Sequence, residues 1–269
     1  MIRFLLLLPI TVSVFSSTYC YSQAVKEKKS HNLELALLNP EEITELNLNG
    51  SQDYKTLPPE IGKLKNLKIL KMYGCGLRAV SPEIGNLKNL EVIDLGGNYL
   101  KTLPPEFCNI TKLHELNLAG NELENLPEEM GNLQNLVSLD LSKNKLTVLP
   151  LSFYMLSRLA VLDLTMNQLQ FLSPQSKDLV GLEVLNLSKN NLEYIPDKLW
   201  FAPRLYSLNL YKCGAMLSFP KDFCDIPSSE IKPRTALIDT WHAPASMTVP
   251  ICTFGNNGMR KGWAIVRSD

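Results

Sequence analysis

The chain has 269 residues, 45% of them apolar, which is enough to bury a core and excludes wholesale disorder. Lys plus Arg equals Asp plus Glu at 27 each. That balance leaves no cationic surplus for nucleic-acid phosphate or an anionic membrane surface.

In chain order, the first element is a leader. Arg3 precedes an apolar stretch from Phe4 to Phe15, and Ser22 and Ala24 place small residues at the −3 and −1 positions of a cleavage site. Such a stretch is shorter than the roughly 20 residues of a transmembrane helix and has the layout of a secretory signal peptide. Residues 1–24 are therefore expected to be removed, giving an extracytoplasmic protein (secreted, periplasmic or on the cell surface) with no transmembrane segment. Cleavage takes away Arg3 alone among the charges and leaves a net charge of −1. Cys20 follows Tyr19, with Ser17 at −3, a poor match to a lipidation site. Five cysteines remain, Cys75, Cys108, Cys213, Cys224 and Cys252. An odd number leaves at least one thiol free, and no C-x-x-C pair suggests zinc or a redox site.

Residues 25–42 read as an N-terminal cap. Leu33, Leu35, Leu37 and Leu38 precede Asn39-Pro40, and a short helix stopped by Pro40 would shield the first repeat.

The repeats follow. The frame L-x-x-L-x-L-x-x-N-x-L starts at Leu90, Leu113, Leu136, Leu159 and Leu182, 23 residues apart, with degenerate copies from Ile43, Leu67 and Leu205. Eight copies cover residues 43–227. Leu116 and Leu118 alternate with Glu115, Asn117 and Ala119, the period of a strand with one buried face. Stacked copies give a parallel sheet with strands about 4.8 Å apart, and no single copy can bury its own leucines. Asn98, Asn121, Asn144, Asn167 and Asn190 form a column after the strands. Their amides both donate and accept, so they are expected to bridge successive turns as a ladder. Ser51, Cys75 and Cys213 hold this place in outer copies, where the two cysteines are expected to be buried and inert. The remainder of each copy, such as Thr56-Leu57-Pro58-Pro59-Glu60-Ile61-Gly62, predicts short helical or 3-10 turns on the outside. Gly62, Gly85 and Gly131 are expected to allow a tight turn there.

Residues 136–150, LVSLDLSKNKLTVLP, resemble the leucine-rich-repeat superfamily. The 23-residue period with L-P and I-G-x-L is similar to the subclass shared by bacterial surface repeat proteins and eukaryotic Ras-pathway scaffolds. The resemblance implies an α/β leucine-rich-repeat solenoid, a horseshoe with its parallel sheet on the concave face. The lead-in Pro40-Glu41-Glu42-Ile43 resembles that of exported repeat proteins of spirochaetes and Bacteroidetes-type bacteria. The pattern departs at Phe153-Tyr154-Met155, Ser173-Pro174-Gln175 and Trp200-Phe201-Ala202, where I-G is lost.

Residues 228–269 leave the repeat. Val249–Phe254 and Trp263–Val266 flank Gly255-Asn256-Asn257-Gly258 and predict a β-hairpin in a C-terminal cap or small recognition element. Cys224 and Cys252 are a possible bridge from cap to array.

No motif for catalysis, cofactor binding or a metal is present. His31, His114 and His242 are isolated, with His114 expected on the concave face. Asp94, Asp140 and Asp163 recur at one column position, as a repeated strand residue would. The chain is read as a non-enzymatic monomer.

The outward strand positions form the expected binding face. The central column reads Asn47, Lys71, Asp94, Asn117, Asp140, Asp163, Asn186 and Asn209. Two residues on, Tyr73 and Tyr211 stand near the ends of a column of small residues, and two residues before the centre lie Ile69, Val92, Val161 and Val184. Apolar and Tyr side chains without a core role suit a contact surface for a protein or glycan partner. The other uses left open are an envelope scaffold working through the outer face or tail, and an intracellular or injected signalling scaffold resembling the Ras-pathway class.

Overall fold

The computed structural model describes residues 29–196, 199, 202–214, 234–238 and 263–267. The expected signal peptide, the Cys224–Cys252 pair and the segment Val249–Phe254 lie outside them.

The architecture is a leucine-rich solenoid. Eleven strands form one parallel sheet. It opens with β1 (Lys29–Ser30) and, after helix α1 (Leu33–Ala36), continues with β2 (Glu45–Asn47). Between Thr56 and Val80 the short strands β3 (Thr56–Leu57) and β5 (Ala79–Val80) pair as a separate two-stranded ribbon, while β4 (Ile69–Lys71) joins the main sheet. The main sheet then takes β6 (Val92–Asp94), β7 (Glu115–Asn117), β8 (Ser138–Asp140), β9 (Val161–Asp163), β10 (Val184–Asn186) and β11 (Ser207–Leu210) in sequence order. Within each strand the middle leucine or isoleucine, such as Leu116 or Ile93, points into the core and its neighbours point out.

The expected convex turns are 3-10 helices: Pro59–Lys63, Pro82–Asn86, Pro105–Asn109, Glu128–Asn132, Leu151–Met155 and Pro174–Asp178. Proline at their first turns fixes φ where no N–H partner exists. Phe107 and Phe153 project from them onto the leucines and are fully buried.

The glycines of these turns act differently from expectation. Gly62, Gly85 and Gly131 lie inside the helical turns, where no positive φ calls for glycine. Close approach between repeats is the cause. A Cβ on Gly62 would meet the Glu83 carbonyl oxygen at 2.9 Å, and one on Gly85 or Gly131 would strike the Glu106 or Ser152 carbonyl. Where Tyr154 holds this column, its buried phenol accepts the Ser173 N–H at 3.2 Å.

The Asn ladder is buried and fully bonded. Asn121 Nδ2 donates to Leu95 O (2.9 Å) in the preceding repeat and to Leu118 O (3.0 Å) in its own, while its Oδ1 accepts the Leu100 N–H (3.0 Å). Asn98, Asn144, Asn167 and Asn190 repeat the pattern. Cys75 serves with a weaker donor, Sγ to Leu48 O at 2.9 Å. At Cys213 the backbone carbonyl takes the Leu192 N–H (2.7 Å) that an Asn would have accepted.

The expected short N-terminal helix is present, and the far end carries a strand that was not expected. Helix α1 is capped by Asn32, whose side chain accepts the Leu35 N–H, and it stops at Ala36, ahead of Pro40. Leu33 and Ala36 join the core, whereas Leu35 and Leu38 are exposed. At the far end β12 (Arg234–Ile238) pairs in parallel with β11, and β13 (Trp263–Arg267) pairs in parallel with β12. Trp263–Val266 is thus a strand, as expected, and pairs in parallel with β12, while its expected hairpin partner Val249–Phe254 lies outside the described residues. An open solenoid edge offers a row of unpaired N–H and C=O groups that later chain can extend.

Candidate functional site

Strand register brings the expected site residues onto one surface. Lys71, Asp94, Asn117, Asp140, Asp163, Asn186 and Asn209 pair in a single row. Val92, Val161 and Val184 lie in the parallel row two residues earlier, with Ile69, Glu115 and Ser138. Val161 is the most open of the apolar ones, at 40% exposure. Tyr73 and Tyr211 stand six strands apart, a span of roughly 29 Å at the usual strand spacing.

The central row has a structural duty that its sequence position does not announce. The ladder takes the carbonyl that the next strand would otherwise use: Asn98 holds Met72 O, and Asn121 holds Leu95 O. One backbone N–H per repeat is left over. The row residue two positions earlier accepts it: Asp94 Oδ1 from Gly96 N (3.0 Å), Asn117 Oδ1 from Ala119 N (2.9 Å), Asp140 Oδ1 from Ser142 N (2.9 Å) and Asp163 Oδ1 from Thr165 N (2.7 Å). Asn186 and Asn209 do the same for Ser188 and Tyr211. Lys71 has no acceptor, and in its repeat the preceding Asn49 Oδ1 reaches across to Tyr73 N at 2.8 Å. Each Asp or Asn therefore commits one oxygen to the fold, and along the row Asn117 Nδ2 also donates to Asp94 Oδ1 (2.9 Å) and Asn186 Nδ2 to Asp163 Oδ2 (3.3 Å).

The two tyrosines are seated differently. Tyr73 is 52% exposed, with its ring against Gly96 and Gly97, where an added Cβ would come within 3.0–3.2 Å of it. Tyr211 is half-buried, and the Lys212 ammonium lies 5.2 Å from its ring centre. At the N-terminal end Glu45 pairs with Lys29 (2.8 Å) and Lys71 (3.8 Å), and Lys29 holds its carboxyl below the usual range.

One row escaped the sequence reading. The residue before the Asn column adopts a left-handed φ in all eight repeats: Gly50, Gly74, Gly97 and Gly120, then Lys143, Met166, Lys189 and Lys212. The visible signal was the change from Gly to long side chains. His114 is exposed, but it precedes β7, and Glu115 holds the outward strand place.

The described thiols, Cys75, Cys108 and Cys213, are buried. Cys75 and Cys108 are free, and burial pushes the Cys108 thiol up to about 12. Among the described residues no group of three or more His, Cys, Asp or Glu could hold a metal ion. Among them, too, no helix is long and apolar enough to cross a membrane.

A parallel sheet of stacked leucine frames closed by an Asn ladder defines the class. The family model "Leucine rich repeat" matches residues 65–123, 111–169 and 157–213, more than half of the chain, and the chain belongs to the leucine-rich-repeat family. Among solved structures it is similar to a leucine-rich-repeat protein of Leptospira interrogans, at 28% identity and a TM-score of 0.54, over 80% of this chain and 72% of that one. It is also similar to the ectodomain of the Arabidopsis thaliana membrane receptor kinase GASSHO1/SCHENGEN3, solved with Casparian strip integrity factor 2 (28%, TM-score 0.57). A third is the plant peptide hormone receptor RGFR1 with RGF2 (27%, TM-score 0.62). The alignments cover 78% and 74% of this chain but only 29% and 33% of the two receptors. A search of the curated proteins returns no match.

Proposed function

We propose that the chain is an exported, non-enzymatic binding module whose concave sheet holds a macromolecular partner, a polypeptide in the first instance. The observation that carries this is the exposure of Tyr73 and Val161 on the sheet face, where neither serves the core. Tyr73 is presented as a rigid ring with one side against glycine backbone and the other open, the form of an interface anchor. Two of the similar structures, RGFR1 and GASSHO1/SCHENGEN3, were solved with a bound partner, which supports the same use of this scaffold. Export rests on the apolar leader Phe4–Phe15 and the small residues before Val25.

The test is capture of partners by the mature protein against a Tyr73→Ala, Tyr211→Ala, Asp140→Asn variant. Asn at 140 keeps the acceptor for Ser142 N–H, so the variant removes contacts and charge without opening the backbone. Loss of captured partners is the expected result, and unchanged capture refutes the concave assignment. N-terminal sequencing of exported protein should begin at Val25.

A second reading, a scaffold gripping through its outer face, is favoured by Leu151 and Met155 on the convex turn, exposed at 64% and 63%. A Leu151→Ser, Met155→Ser variant that loses partners while the concave variant keeps them would select it.

A further inference from the structure

We infer that the rim formed by Lys143, Met166, Lys189 and Lys212 is a docking strip for an extended acidic segment of a polypeptide partner. This rests on the binding reading above and specifies the chemistry of its partner.

The backbone supplies the first observation. All four residues are held at φ between 51° and 56°, a region that side chains with a Cβ avoid and Gly enters freely. The fold does not need side chains there, because the first four repeats close the same turn with Gly50, Gly74, Gly97 and Gly120. Four consecutive repeats bear the strain and gain four long, exposed side chains from it.

Charge supplies the second. Among the described residues, no carboxylate lies within ion-pair distance of Lys143, Lys189 or Lys212. On the central row of the sheet, Asp140 and Asp163 each have one oxygen tied to a backbone N–H. The rim spans three strand spacings, roughly 14 Å. An extended peptide covers that in about four or five residues. Met166 in the row and the Tyr211 ring beside Lys212 supply apolar surface, which a peptide alternating carboxylate and apolar side chains matches. A sulfated polysaccharide carries charge without the apolar groups.

Binding is measured on the mature full chain with a short fluorescent peptide alternating Glu and Leu. The comparators are its Gln-for-Glu counterpart and a sulfated oligosaccharide. The proteins are wild type, a K143N/K189N/K212N variant and a convex control, K63N/K65N/K88N. Asn tolerates the left-handed turn, so the rim variant should melt no lower than wild type. The expected result is salt-sensitive binding of the Glu peptide, weakened about tenfold or more in the rim variant and unchanged in the control. The Gln peptide should not bind. No binding of the Glu peptide to wild type, equal binding to the rim variant, or binding of the sulfated oligosaccharide alone each overturns the inference. If the rim variant still captures partners that the tyrosine variant loses, the rim assignment fails while the concave reading stands.

Discussion

The first four repeats and the last four share a core but solve the turn after the strand in opposite ways. In the first half, glycine takes the left-handed turn, and the surface it leaves is smooth enough to seat the Tyr73 ring on Gly96 and Gly97. In the second half, Lys143, Met166, Lys189 and Lys212 occupy the same backbone conformation, and the surface is studded with charge. The buried leucines run through both, and the Asn ladder crosses from one to the other between Asn98 and Asn190. The fold therefore fixes what is common, and what differs at the rim is free to serve something outside the molecule. One end offers a flat aromatic plate, and the other a set of flexible cations.

The largest expected effect tests the common part. Asn121→Leu and Asn167→Leu leave the Leu100 and Leu146 N–H groups buried without an acceptor and take one of two amide donors from each of two carbonyls. Both should cost about 2–4 kcal/mol in urea unfolding. A much smaller cost at Asn167 would mean the ladder is not equally shared between the halves.

A reciprocal exchange at the turn comes next. Gly97→Lys should destabilise by about 1–3 kcal/mol, from left-handed strain plus a Cβ 3.2 Å from the Tyr73 ring. Lys143→Gly should be neutral or stabilising by up to about 1 kcal/mol, as relief of strain outweighs the added freedom of the unfolded chain. Equal and opposite effects at thermal melting would sharpen the contrast, and a destabilising Lys143→Gly would break it.

The smallest effect lies on the convex side of the second half. Ser176 takes a column otherwise filled by Ile61, Ile84, Phe107, Met130 and Phe153, and its buried hydroxyl has no partner. Ser176→Ala should raise stability by about 1 kcal/mol. A loss on denaturant titration would show that the hydroxyl is satisfied in solution.

Much of this was legible in the sequence because burial imposes period. A leucine out of frame would face water, so Leu90 to Leu182 announce both strand and spacing, and the bonding capacity of an amide announces the ladder. The placement of the concave residues followed from alternation alone. Their second duty did not, since nothing in Asp140 or Asp163 says which carbonyl the ladder has already taken. The glycines of the convex turns were misread for a similar reason: the Glu106 carbonyl that excludes a side chain at Gly85 belongs to another repeat. Strand β12 was missed because the period stretches. Thr235 pairs with Ser207 and Ala264 with Thr235, offsets of 28 and 29 residues in place of 23. A backbone edge can accept a strand that no longer follows the leucine frame.

The ladder also gives the molecule a direction in time. Each asparagine satisfies the N–H of the repeat before its own, as Asn121 does for Leu100 and Asn144 for Leu123. A chain growing from its N-terminus thus cannot finish any turn until the next repeat has been synthesised. A ribosome stalled after Gly120 would hold a nascent protein whose last turn still lacks its acceptor, and the growing end would stay one repeat short of native structure throughout elongation.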